Sequence, residues 1–369
     1  MAPKPALSEL PIKLAETGFY RGFSVDVTVA SKIIISALVV WAIFWPVQAG
    51  ETLGDWNTLI LANFAAWYIW VVALFVSVCI GLALWPAAGR LNLGRPGEKP
   101  DFSNFSWFSM MFSAGIGVGM LTWAVAEPVT HFGNNPEVIQ GLTTGGGADN
   151  VRMAFKWSFL HWGFGAWSCY AITGLSMAFF SYRRALPLTI RSSLTPIFGK
   201  ALSGPLGHFI DIVAVVATIL GVAQTLGFGV EQFIAGLTRI GIGGLVDADG
   251  AANSFGIIIA LILIMGASTL SALSGVGKGI KWLSNINMFL SIILLGFLII
   301  FGSTFFGGSA LLFGIWDYVI ALPQMSINVW GTDGVEGSEA FLLTQWQGSW
   351  PVFYWAWWIA FAPLVGLFL

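Results

Sequence analysis

The stretch "FSAGIGVGMLTWAVAEP", residues 112–128, sets Gly115, Gly117 and Gly119 at alternate positions in an otherwise apolar run. A dinucleotide-binding loop is excluded, because no strand precedes the glycines and the surroundings are lipid-like. Two readings remain. Gly115 and Gly119 stand four residues apart, the spacing of a small-residue packing face between membrane helices. Alternatively the glycines let the helix unwind and free backbone groups, which inside a bilayer must find partners in protein, water or ligand. Interrupted helices of that kind hold substrate and coupling ion in secondary transporters.

Both readings need a bilayer, and composition supplies it. Of 369 residues, 57% are hydrophobic and 9% charged, against roughly 25% charged in a soluble domain. Crossing a bilayer takes about 20 apolar residues. Runs of that length lie near 28–48, 57–86, 107–132, 153–181, 206–238, 254–273 and 283–305, and an eighth begins at 350. The chain reads as an all-α integral membrane protein. Residues 1–27 hold Lys4, Glu9, Lys13, Glu16, Arg21 and Asp26 without an early apolar core, so a cleaved signal peptide is not expected. They read as a cytoplasmic segment ahead of a transmembrane domain over 28–369.

Loop charge sets the orientation. With the N-terminus inside, thirteen Lys and Arg fall in inner segments and three (Arg152, Lys156 and Arg239) in outer ones, a strong positive-inside bias. A net charge of −2 provides no basic stripe, so nucleic-acid binding is excluded. Cys79 and Cys169 lie in apolar runs where no disulfide is expected, and no Cys/His cluster has zinc spacing. After Lys281 no basic residue follows, and the last run ends without a polar loop. The expectation is a fragment of a longer protein.

Two further stretches are dense in aromatics: "HWGFGAWSCY" (161–170) and "WPVFYWAWWIAF" (350–361). On a continuous helix advancing about 100° per residue, Trp162, Trp167 and Tyr170 share one arc. The interfacial belt accounts for Trp41, Trp45, Trp56 and Trp350. Deeper in the spans, Trp162, Trp167, Tyr170 and Trp358 are either core packing or a cage for a methylated ammonium, which aromatic faces bind through the ring quadrupole.

Other polar groups argue for little. Glu127 reads as helix-end packing, while Asp211, beside His208, and Glu231 read as structural ion pairs or water contacts. His131 and His161 stand at span ends without partners in sequence. Neither the charge rings or repeated filter of a channel nor the nucleophile, metal ligands or carboxylate pair of a membrane enzyme is present. In "ALLFGIWDYVIALPQM" (310–325), Leu311, Leu312, Ile315, Tyr318, Val319 and Leu322 recur at helical steps with Asp317 opposite. This predicts an amphipathic helix of about twelve residues before Pro323, too short to cross and lying flat on the outer surface.

Taken together, "FSAGIGVGMLTWAVAEPVTHF", "HWGFGAWSCY", "SGVGKGIKWLSNIN" (274–287) and "WPVFYWAWWIAFAPLVG" resemble the betaine/choline/carnitine transporter (BCCT) family over about residues 30–369. The resemblance implies a LeuT-type inverted-repeat fold of twelve spans, about eight of them present, with a first repeat over about 107–305 and a second beginning near 350. It implies an aromatic box of Trp162, Trp167, Tyr170 and Trp358 around a trimethylammonium group, with Trp357 lining the path. Gly115, Gly117 and Gly119 would face the substrate carboxylate. Carbonyls of Ser113 and Ile116 would serve a sodium ion, the coupling ion, with no other cofactor.

Departures from the family pattern are also legible. A second sodium site keeps Thr218 but has Val222 and Leu364 where betaine members carry a threonine and a phenylalanine. Phe361 stands where betaine members have another tryptophan, so an indole donor is lost from the inner side of the cavity. Choline-importing relatives carry an aspartate at the Gly119 position, so no counter-charge awaits a bare cation here. The implied activity is sodium-coupled import of a zwitterionic methylated-ammonium osmolyte, glycine betaine first. Alternatives are import or exchange of choline, carnitine, dimethylsulfoniopropionate or trimethylamine oxide, or a channel. A homotrimer joined through a helix within residues 306–348 and a bacterial inner-membrane location with a cytoplasmic N-terminus complete the expectation.

Overall fold

The computed structural model describes residues 9–94, 97–115 and 117–368. Among them the regular secondary structure is helical, apart from isolated bridges at Ala15/Arg21 and Val246/Ala252. The longer helices are α1 (Val25–Phe44), α2 (Pro46–Leu84), α3 (Asn104–Gly115), α4 (Val118–Gly133), α5 (Asn150–Trp162) and α6 (Phe164–Ala178). They are followed by α7 (Pro205–Arg239), α8 (Ser254–Ser274), α9 (Lys281–Phe301), α10 (Thr304–Ile327), α11 (Glu339–Gln347) and α12 (Phe353–Phe368). Seven continuous helical stretches among the described residues are long and apolar enough to cross a membrane.

The runs at 107–132 and 153–181 are missing from those seven because each is broken by glycine. α3 stops at Gly115 and α4 resumes at Val118, with Gly117 extended between them (φ −103°, ψ −153°). α5 ends at Trp162 and α6 begins at Phe164 across Gly163. The second break corrects the single-helix arc expected for Trp162, Trp167 and Tyr170: Trp162 closes one helix and the other two belong to the next.

Two further boundaries differ from expectation. α2 begins at Pro46 and runs for 39 residues, so Glu51 and Asp55 ride on a helix rather than in a loop. Proline suits that first turn because its missing N–H would be unpaired there anyway. α10 runs for 24 residues through Pro323 and is itself long and apolar enough to cross a membrane. The expected length of about twelve residues and the stop before Pro323 are thereby corrected. Pro323 removes one backbone donor without ending the helix, a loss that apolar helices tolerate where neighbours and local adjustment satisfy the freed carbonyl.

The chain forms two compact units. In the first, α12 packs along α6, and both pack on α2. Glycines make the approach possible. A Cβ on Gly165 would lie 2.5 Å from the Trp355 ring, and one on Gly366 would lie 2.7 Å from Thr173 Cγ2 and 2.9 Å from the Gly174 nitrogen. Gly165→Ala is therefore expected to destabilise by about 1–3 kcal/mol through overpacking against a buried indole. Gly54→Ala, with nothing within 4 Å, is expected to be neutral or slightly stabilising. Thermal unfolding of the two variants in detergent checks the contrast.

Behind α6, the fully buried Arg191 donates from Nε to Asp211 Oδ2 of α7 at 2.7 Å and from Nη1 to the Leu202 carbonyl at 3.2 Å. Asp211 is thus an ion-pair partner, as expected, but of Arg191. His208, its neighbour in sequence, lies 3.8 Å from Asp26 instead.

In the second unit α3 packs along α9, with Asn285 donating to Ser106 Oγ and Asn287 to Ser113 Oγ, both at 3.2 Å. The end of α4 is clasped to the start of α5 by two fully buried asparagines. Asn135 Nδ2 donates to the His131 carbonyl at 2.8 Å and Asn150 Nδ2 to the Phe132 carbonyl at 2.6 Å, satisfying helix-end carbonyls that have no intrahelical donor. Arg152 of α5 forks onto Asp317 of α10 at 2.7 and 2.6 Å. Glu137 accepts from Lys156 and, at 2.5 Å, from Trp157 Nε1.

Candidate functional site: an aromatic cluster

The first unit gathers the aromatic residues into one cluster. Trp358 of α12 is its centre: its ring lies 5.1 Å from Trp162 at 67°, 6.1 Å from Tyr170 at 78°, and 4.7 Å from Trp357 at 15°. Trp167 meets Tyr170 at 6.0 Å, nearly perpendicular. Rings from three helices stand at steep angles to one another, the arrangement that presents π faces and edges to a common neighbourhood.

The break at Gly163 helps to set this geometry. In a continuous helix the His161 carbonyl would accept the Gly165 N–H. Here it accepts Trp358 Nε1 at 2.8 Å instead, fixing the central indole by a backbone group. Two other donors in the cluster, Tyr170 Oη and Trp357 Nε1, are buried and carry no hydrogen bond. A buried donor without a partner is costly, so the cluster holds unspent polar capacity beside its apolar faces.

Residues that sequence reasoning had not singled out complete the group. Tyr354, fully buried, lies 5.6 Å from Trp162 and 5.7 Å from Trp358. The signal was available, since Tyr354 is one helical turn before Trp358. His161, expected to be isolated, stacks on Tyr354 at 4.7 Å and 11°. Phe361 sits further along α12 against α7, where a Cβ on Gly221 would lie 2.6 Å from its ring. Thr218 and Leu364 line a cavity discussed below.

The glycine stretch belongs to the second unit. Gly115 ends α3, Gly117 lies in the break beside Thr225 of α7, and Gly119 is buried in α4. The last-turn carbonyls of α3, Ser113 among them, have no helical donor after the break. Such oxygen-rich ends suit a hard monovalent cation. Ile116 lies outside the described residues. Glu127, buried in α4, reaches His131 one turn on at 3.3 Å, which agrees with helix-end packing and gives His131 a partner.

These features define a multi-pass helical membrane protein with two glycine-interrupted segments and an aromatic cluster between helices. The chain belongs to the BCCT, betaine/carnitine/choline family of transporters, whose family model matches residues 26–369. It is 37% identical over 337 residues to the glycine betaine transporter OpuD of Bacillus subtilis, covering 91% of this chain and 62% of that protein. It is 38% identical over 346 residues to the high-affinity choline transport protein of Escherichia coli, covering 93% and 47%. Against the osmo-dependent choline transporter BetT2 of Acinetobacter baylyi the identity is 36% over 340 residues, covering 92% and 46%. The chain thus spans between about half and three fifths of these relatives' length. They are transporters rather than enzymes.

Proposed function

We propose that the protein is a secondary active transporter that imports a zwitterionic methylated-ammonium osmolyte, glycine betaine first, coupled to sodium. The observation that carries the reading is the convergence of Trp162, Tyr170 and Trp358 at steep angles. A desolvated quaternary ammonium gains up to about 2 kcal/mol from an aromatic face, and it has no N–H that would need an acceptor. Trp167 and Trp357 extend the cluster, and Phe361 continues it along α12. Gly115, Gly117 and Gly119 supply backbone groups for a carboxylate. Carbonyls at Ser113 and Ile116 supply oxygen ligands for one sodium ion, and Thr218 keeps one hydroxyl of a separate second site. The positive-inside bias supports a cytoplasmic N-terminus in a bacterial inner membrane. The exposed apolar side chains of α10, Leu312, Trp316 and Ile320 among them, suit the subunit contact of a homotrimer.

Choline is the competing substrate, favoured by the two choline-transporting relatives at similar identity. Charge discriminates between the two. Gly119→Asp adds a carboxylate that attracts a bare cation and repels the carboxylate of a zwitterion. Uptake of labelled betaine and choline into vesicles, with and without a sodium gradient, tests both halves of the proposal. The parent is expected to prefer betaine and to need sodium, and the variant to shift towards choline. A folded variant that still prefers betaine contradicts the charge argument, and uptake indifferent to sodium contradicts the coupling.

A further inference from the structure

Residues 9–24, ahead of α1, form no helix, yet they are held in a defined shape. The chain doubles back on itself: Ala15 N–H donates to the Phe23 carbonyl at 2.9 Å and Gly22 N–H to the Ala15 carbonyl at 2.8 Å. Gly18 and Gly22 turn with φ of 79° and 83°, a left-handed backbone that glycine adopts without steric cost. One side chain anchors this hairpin. Leu10 is 3% exposed and packs with Leu186 and Leu202, which follow α6. The rest is lightly held, with Leu14 50% and Phe23 55% exposed.

Beneath the hairpin lies a cavity of about 580 Å³. Ile12, Leu14 and Phe23 line one side of it, and Ala214 of α7 and Leu364 and Leu367 of α12 line the other. One wall is therefore α12, the helix that also carries Trp357 and Trp358 of the aromatic cluster. Leu364 lies six residues beyond Trp358 on α12, about 9 Å along the helix at 1.5 Å per residue. Phe361, seated against Gly221, stands between them. The cavity thus continues the line of α12 away from the cluster, and the N-terminal hairpin roofs its far end.

We propose that residues 9–24 are a strap that closes the inner mouth of the solute path, hinged on Leu10 and displaced when solute leaves. This rests on the transporter reading. Its physical basis is the asymmetry of the strap itself. One deeply buried anchor holds it in place, while Leu14 and Phe23 over the cavity are half-exposed and lose little packing when they lift. Segments with few buried contacts are those that open locally at low cost.

The test places a reporter cysteine in the cavity wall, Ala214→Cys, and follows its modification by a membrane-impermeant thiol reagent. It uses the purified chain in detergent and the same chain in vesicles of each orientation, with the signal from Cys79 and Cys169 of the parent subtracted. Leu10→Asp is expected to raise the modification rate about tenfold or more by populating the open strap, and Leu10→Met to leave it at the parent value. Should Leu10→Asp fail to fold, the double variant Leu14→Ser/Phe23→Ser decides the matter, because both side chains are half-exposed and their loss leaves the anchor intact. It too is expected to raise the rate. Equal rates in parent and folded strap variants overturn the proposal, as does modification that is fastest from the side opposite the N-terminus. The readout needs no solute, so a strap that behaves as stated in a protein that binds no betaine would retain the closure and reject the substrate.

Discussion

Trp358→Ala is expected to weaken glycine betaine binding by at least about tenfold, since one desolvated cation–π contact is worth about 1–2 kcal/mol and 1.4 kcal/mol is a factor of ten. The loss should exceed that of a single contact. Trp358 also touches Trp162, Tyr170, Tyr354 and Trp357, so its removal loosens the neighbouring rings. Trp358→Phe keeps an aromatic face but loses the indole N–H that bonds the His161 carbonyl, and should be milder. Equilibrium binding to purified protein gives the ordering. Unchanged affinity in Trp162→Ala, Tyr170→Ala and Trp358→Ala alike would remove the cage.

Asp211→Ala should be the most destabilising single change in the first unit. Arg191 is fully buried, and with Asp211 gone its guanidinium keeps only the Leu202 carbonyl. Removing one partner of a buried ion pair costs about 3–5 kcal/mol, whereas replacing both by apolar groups is often neutral. The double variant Arg191→Met/Asp211→Leu should therefore regain most of the loss. Thermal unfolding in detergent separates the two cases. A double variant as unstable as Asp211→Ala would show that packing, rather than the orphaned charge, sets the cost.

The sequence revealed what composition and local pattern control. Alternate glycines at 115, 117 and 119 signalled an interrupted helix, and the α3/α4 break falls there. Gly163 gave no such signal, because a lone glycine inside a helix costs only about 1 kcal/mol and need not break it. At the α5/α6 break the His161 carbonyl takes the Trp358 indole N–H and Gly165 lies against Trp355, contacts with a distant segment that local sequence does not display. Pro323 was misleading in the other direction: proline usually ends a helix in sequence reasoning, but α10 continues through it. Arg191 and Asp211 are twenty residues apart, and the nearer His208 drew attention away from that pair. Tyr354 follows from the periodicity of α12 once Trp358 is taken as the reference.

The proposed function requires the cluster to recognise a positively charged methylammonium rather than an apolar group of the same shape. It is tested most directly by competing labelled glycine betaine on the purified chain with 3,3-dimethylbutanoate, in which carbon replaces the quaternary nitrogen. Unlabelled betaine is expected to displace the label, while the neutral-headed isostere is weaker by about tenfold or more, the worth of one or more cation–π contacts. Equal competition by the two molecules would contradict it.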